Sequence, residues 1–144
     1  MADVDLIFHK AGKIQNHLQR IELKCGDDLD TFLKDPDRQD IVAFNLHMAI
    51  QNCIDIASHI ISDEGWGVPG STNEMFYLLE DHGCLTADTT EKMVKAVGFR
   101  NLVVHEYGKI DLQRVYTICR KDIQDLRIFL TEIFTHFNLN NEQP

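Results

Sequence analysis

Glycine and proline are scarce, 8 and 3 in 144 residues. Chain reversals are therefore few, which suits long helices better than a many-stranded sandwich. No apolar run approaches the roughly 18 residues that a membrane helix needs. The N-terminus, Met1-Ala-Asp-Val-Asp5, is acidic and lacks the basic start of a secretory leader. The expectation is one soluble, cytoplasmic domain over residues 1–144, with no membrane partner. The four cysteines, Cys25, Cys53, Cys84 and Cys119, form no CxxC pair. Zinc sites use ligand pairs at short spacing, so reduced core thiols are the reading here, with no metal and no cofactor. There is no phosphate-cradling glycine loop, and Ser58, Ser62 and Ser71 stand in no nucleophile elbow.

A net charge of -9 argues against a general nucleic-acid binder. The charge is unevenly spread. Residues 1–90 carry 6 basic and 16 acidic side chains, whereas residues 91–121 carry 7 basic and 3 acidic. A basic segment of Lys92, Lys95, Arg100, Lys109, Arg114, Arg120 and Lys121 thus sits inside an acidic chain. By itself it reads equally as a solvated face or as a contact for an anion.

Apolar residues recur with a helical period almost throughout. Ile7, Ala11, Ile14, Leu18, Ile21 and Cys25 step by three and four and mark a first helix. Asp35-Pro36 is an N-cap followed by proline at the first helical position. From there Val42, Leu46, Ala49, Cys53, Ile56 and Ile60 form a stripe that Ile50, Ile54, Ala57 and Ile61 widen. So broad an apolar face predicts a central helix of about 28 residues with more than one neighbour. Gly65-Trp-Gly-Val-Pro-Gly70 is a loop, and Ser71-Thr-Asn-Glu74 reads as a capping box for a short helix that stops near Gly83. Asp88-Thr-Thr-Glu91 reads as a second box. The helix it opens is expected to run through Met93, Val97 and Val103 and to close at Gly108. Asp111 caps a last helix stepping through Leu112, Val115, Cys119, Ile123, Leu126, Leu130, Ile133 and Phe137, with a frayed C-terminus. The prediction is an all-α, up-down four-helix bundle with one additional short helix.

Chemistry concentrates in Phe99-Arg-Asn-Leu-Val-Val-His-Glu-Tyr-Gly108. Asn101 and His105 are four apart and share a helix face, as do Arg100 and Tyr107, seven apart. His105 lies about 140° around a straight helix from Arg100. The pattern Arg-x4-His-x-Tyr, with a polar residue after the arginine, resembles the motif of the HEPN superfamily and, within it, of the HepT-type toxins. The residues around Cys53-Ile-Asp-Ile-Ala57 and the Ser71 box are also similar to that family, and the resemblance spans about residues 5–135. It implies a HEPN-like bundle acting as a metal-independent endoribonuclease toxin. Two copies would form a homodimer whose facing motifs build one RNA cleft. Arg100 and His105 would be catalytic and Asn101 supporting. The resemblance also implies a minimal nucleotidyltransferase antitoxin that adenylylates Tyr107.

The residue types suit that chemistry. Histidine titrates near neutrality and can take a 2′-hydroxyl proton. An arginine fork matches phosphate oxygens and stabilises charge on phosphorus. Asn101 has two readings, orienting His105 or donating to a phosphate oxygen. Each residue also has a plainer reading: Arg100 as an ion-pair partner, His105 as a helix-end cation favoured by the dipole, Asn101 as exposed, Tyr107 as a packed tyrosine. Asp55 sits beside the central apolar stripe, where an unpaired carboxylate is costly. Pairing with Arg100, facing a dimer cleft and plain exposure all stay open for it. The other six histidines (His9, His17, His47, His59, His82 and His136) read as surface or satisfied core residues, and Trp66 as a packing anchor. The alternative function is a catalytically silent scaffold that docks RNA, a nucleotide or a protein through the same face.

Overall fold

The computed structural model describes residues 2–139; the frayed end expected beyond them lies outside the described residues. The first helix, α1, spans Val4–Cys25, and its six-residue apolar stripe is wholly buried. Asp3 caps it by accepting from the Leu6 amide. A five-residue helix, α2 (Leu29–Leu33), follows and was not foreseen in the sequence. It exists to plug the bundle end: Phe32 is fully buried and its ring packs 5.6 Å from that of Tyr116.

Helix α3, Pro36–Glu64, starts and stops where the sequence says. Asp35 accepts from the Asp37 and Arg38 amides, and Gly65 closes the helix in the left-handed conformation at φ 69°. Fourteen of its residues are buried, and it touches α1 and three later helices, which makes it the core of the bundle. Helix α4, Thr72–Asp81, opens on Ser71, which accepts from the Glu74 amide, while the Glu74 carboxylate reaches back to the Gly70 amide.

Helix α5, Ala87–His105, differs from expectation at both ends. Its cap is Thr86, not Asp88. A distant residue supports the earlier start: Glu132 accepts from the Thr86 amide and from the Thr89 hydroxyl. At the other end the helix stops at His105, because Glu106 leaves helical geometry at φ -141°, ψ 39°. Gly108 then lies within a 3-10 turn, Tyr107–Lys109, rather than terminating the helix. The last long element opens on Asp111 as expected, but it is not one α-helix. It comprises α6 (Leu112–Thr117), a π-helical turn (Ile118–Asp122) and α7 (Ile123–His136).

Helices α1, α3, α5 and the α6–π–α7 run form the four-helix bundle, with α4 as the extra helix, and no strand occurs among the described residues. All four cysteines are buried and free. Burial pushes the Cys84 thiol up to about 12 and raises that of Cys53 further, so these two stay protonated, unreactive core thiols. Trp66 stacks on His82 at 4.2 Å, consistent with its reading as an anchor. No described helix is long and apolar enough to cross a membrane.

Candidate functional site

The site forms where the last turns of α5 lie against the solvent-facing side of α3. Arg100 is half-buried and bridges the two helices. Its Nη1 donates to Gln51 Oε1 at 2.8 Å, and its Nη2 donates to Asn101 Oδ1 at 2.8 Å. Neither partner carries charge, and among the described residues no carboxylate pairs with the guanidinium, so the plain ion-pair reading of Arg100 does not appear in this structure. Gln51 is held in turn. Its amide nitrogen donates to Asp55 Oδ1 at 3.0 Å, and Lys10 of α1 pairs with Asp55 Oδ2 at 3.1 Å. Asp55 therefore does not meet Arg100 directly; it acts one residue removed.

Asn101 and His105 are exposed on one face of α5. The Asn101 carbonyl oxygen is taken by Arg100, and no hydrogen bond links Asn101 to His105, so the orienting role does not appear in this structure. Its amide N–H groups stay available to an oxygen ligand. No hydrogen bond joins Arg100 to His105 either, as the 140° helical separation leads one to expect.

Tyr107 stands in the 3-10 turn, 42% exposed. Its hydroxyl donates to Asp40 Oδ1 on the first turns of α3. Partial burial and the Asp40 carboxylate raise the phenol to about 12, so it stays protonated at neutrality. Phe44, one turn along α3 from Asp40, is 59% exposed, and Val104 beside His105 is 51% exposed. The motif is thus bordered by apolar side chains that face solvent.

The sequence reading missed three residues. Gln51 and Asp40 are ordinary surface polars in the sequence, visible only once α3 and α5 are docked. His47, read as a surface or satisfied histidine, has a buried Nδ1 with no hydrogen-bond partner, as does the Nε of Arg100. Burial first, and the Arg100 charge second, lower the His47 imidazole below its ordinary value, so it is neutral at pH 7. A cavity of about 280 Å³ is lined by Ile50 of α3, Lys95 and Phe99 of α5, Arg114 of α6 and Ile118 of the π-helical turn. It adjoins the motif, but neither Arg100 nor His105 lines it. Among the described residues, no group of three or more His, Cys, Asp or Glu side chains gathers to hold a metal ion.

A family model described as "Ribonuclease HepT-like" matches residues 14–133. The chain is 33% identical to the mRNA nuclease HepT of Shewanella oneidensis over 129 residues, 90% of this chain and 96% of that protein. It is 29% identical to the tRNA nuclease HepT of Aphanizomenon flos-aquae over 122 residues, 85% of this chain and 81% of that one. Among solved structures it resembles the tri-AMPylated Shewanella oneidensis HEPN toxin in complex with MNT antitoxin. That match has a TM-score of 0.87 and 32% identity, and it covers 92% of this chain and 99% of that one. With the bundle, the Arg-x4-His-x-Tyr motif and the family match in agreement over nearly the whole chain, this protein belongs to the HepT-like ribonuclease family.

Proposed function

We propose that this chain is the ribonuclease toxin of a two-component module. It cuts RNA without a metal in a cleft made by two copies of its motif, and adenylylation of Tyr107 by a minimal nucleotidyltransferase antitoxin silences it. The observation that carries the reading is the state of Arg100. Its guanidinium is fixed by two neutral carbonyls, so its full positive charge remains for an anion.

In this mechanism Arg100 and the free Asn101 amide hold the scissile phosphate. His105 takes the 2′-hydroxyl proton, the 2′-oxygen bonds to phosphorus, and the bond to the 5′-oxygen breaks. The leaving oxygen takes a proton from the imidazolium of the other copy, giving a cyclic phosphate and a 5′-hydroxyl. Exposed Phe44 and Val104 beside the motif support a second copy as the cover of this face. Adenylylation joins the Tyr107 oxygen to the α-phosphorus of ATP, expels pyrophosphate and removes the proton now donated to Asp40. The adduct brings negative charge and bulk into the Arg100 cleft.

The test is cleavage of an RNA oligonucleotide in EDTA. Wild type should cut. Arg100→Ala and His105→Ala should each lose about 10²–10⁴-fold in rate, as expected for removing a proton-transfer or charge-stabilising group. His105→Ala should barely move the melting, because that side chain is exposed, whereas Arg100→Ala gives up the bridge to Gln51 and should cost about 1 kcal/mol. Undiminished cleavage by the double variant would overturn the mechanism, and RNA binding without cleavage by wild type would favour the scaffold reading. Intact-mass measurement with the antitoxin and ATP tests the tyrosine: Tyr107→Phe should cut normally but gain no AMP.

A further inference from the structure

We infer that Gln51 is a positioning residue for the reaction, and that Lys10, Asp55 and Gln51 form a three-part clamp that aims Arg100. This rests on the reading of Arg100 as the phosphate-binding group.

The clamp follows from donor and acceptor counting. A guanidinium only donates and a carboxylate only accepts. Gln51 lies between one of each, so its amide can satisfy both in one orientation alone: carbonyl toward Arg100 at 2.8 Å, nitrogen toward Asp55 at 3.0 Å. Asp55 thus stops the amide from flipping. Lys10, at 3.1 Å from the other carboxylate oxygen, offsets the Asp55 charge. An acid in position 51 would hold Arg100 just as firmly but would cancel the charge that a phosphate needs. An amide holds it without neutralising it. The spacing on α3 serves the same end, since residues 51 and 55 are one turn apart and share a face. Neighbouring positions 52, 53 and 54 are buried, so the helix under the clamp cannot shift easily. Three guanidinium N–H donors remain unspent after the Gln51 and Asn101 bonds, the buried Nε–H and one on each Nη, and the two Nη donors are the ones left for substrate.

The experiment pairs cleavage kinetics with NMR of the Arg100 side-chain N–H groups on the whole chain. In wild type the Nη groups should give slowly rotating, resolved signals. Gln51→Ala should collapse them and lower kcat about 10- to 100-fold, the range for a misplaced reacting group, with KM changed less than about threefold. Asp55→Asn keeps Gln51 but frees its flip, and should lower kcat less. Gln51→Glu should keep the NMR signals and raise KM, because charge rather than aim is lost. Adding Asp55→Asn to Gln51→Glu relieves the carboxylate clash and should sharpen the signals without restoring KM. Gln51→Ala cleaving within about threefold of wild type, or losing activity with the Arg100 signals unchanged, overturns the inference. If wild type cuts no RNA, the ribonuclease reading falls, while the NMR arm still decides whether the clamp exists.

Discussion

Along α3 fourteen residues are buried, two of them asparagines whose amides turn back to carbonyls of their own helix, Asn45 to Ile41 and Asn52 to Met48. Along residues 100–110 no residue is buried, the helix ends early, and a 3-10 turn takes over. These two regions touch at the site and divide the labour. The side chains of the motif stand on the lightly packed stretch, where solvent can reach them. Their aim comes from the heavily packed rod, through Gln51 for the arginine and Asp40 for the tyrosine. A group on a loosely packed element can be precise if one hydrogen bond ties it to a rigid one.

That contrast is open to attack by mutation. The largest effect should come from the rod. Ile56 is fully buried, and Ile56→Ala should cost about 2–5 kcal/mol in urea unfolding. Substitutions of the exposed motif residues should leave the urea midpoint within experimental scatter. A midpoint shift of similar size in His105→Ala would erase the distinction.

Two glycines, Gly65 at a helix end and Gly108 within the 3-10 turn, give a finer comparison. Gly65 stops α3 at φ 69°, a conformation that resists a side chain, so Gly65→Ala should destabilise by about 1 kcal/mol. Gly108 is absent from the positive-φ positions, and a Cβ there meets nothing within 4 Å. Gly108→Ala should therefore be neutral within about 0.5 kcal/mol in thermal melts. A Gly108→Ala penalty equal to that of Gly65→Ala would mean that the glycine does end a helix after all.

The smallest effect concerns Tyr107. Its phenol is held protonated up to about 12, against an ordinary value near 10. Between those two values the folded chain binds more protons than the unfolded one, so stability falls as pH rises through that window. The effect should be small, because the side chain is 42% exposed and solvent screens its interaction with Asp40. Absorbance titration should show Asp40→Asn moving the Tyr107 midpoint back toward 10, though not fully, since burial is the larger cause. An unmoved midpoint would detach the tyrosine from α3.

The sequence displays what local periodicity and caps encode. The stripe from Ile7 to Cys25, the Asp35-Pro36 start, the Gly65 stop and the Ser71 box all appear in the structure as read. What it conceals was settled between distant residues. Glu132 supports Thr86 over Asp88 as a cap, forty-odd positions away. The π-helical turn leaves no mark because Val115, Cys119 and Ile123 keep an acceptable four-residue step on either geometry. Helix α2 is too short to show a period. In the site, Arg100, Asn101, His105 and Tyr107 could be named because a motif ties them together in sequence. Gln51 and Asp40 could not, since their meaning lies in the docking of α3 against α5.

Asp40 and Gln51, the two points that tether the tyrosine and the arginine, lie on one unbroken helix. Eleven residues at about 1.5 Å each separate them by about 16 Å along its axis. A packed helix neither stretches nor folds at this scale, so α3 acts as a ruler between the anchor of the tyrosine and the anchor of the arginine; on the proposed function, these are the group to be marked and the group that binds phosphate. Reach then becomes a design variable. In that geometry the length of whatever is attached to the phenol, rather than any rearrangement of the bundle, sets how completely the cleft is shut.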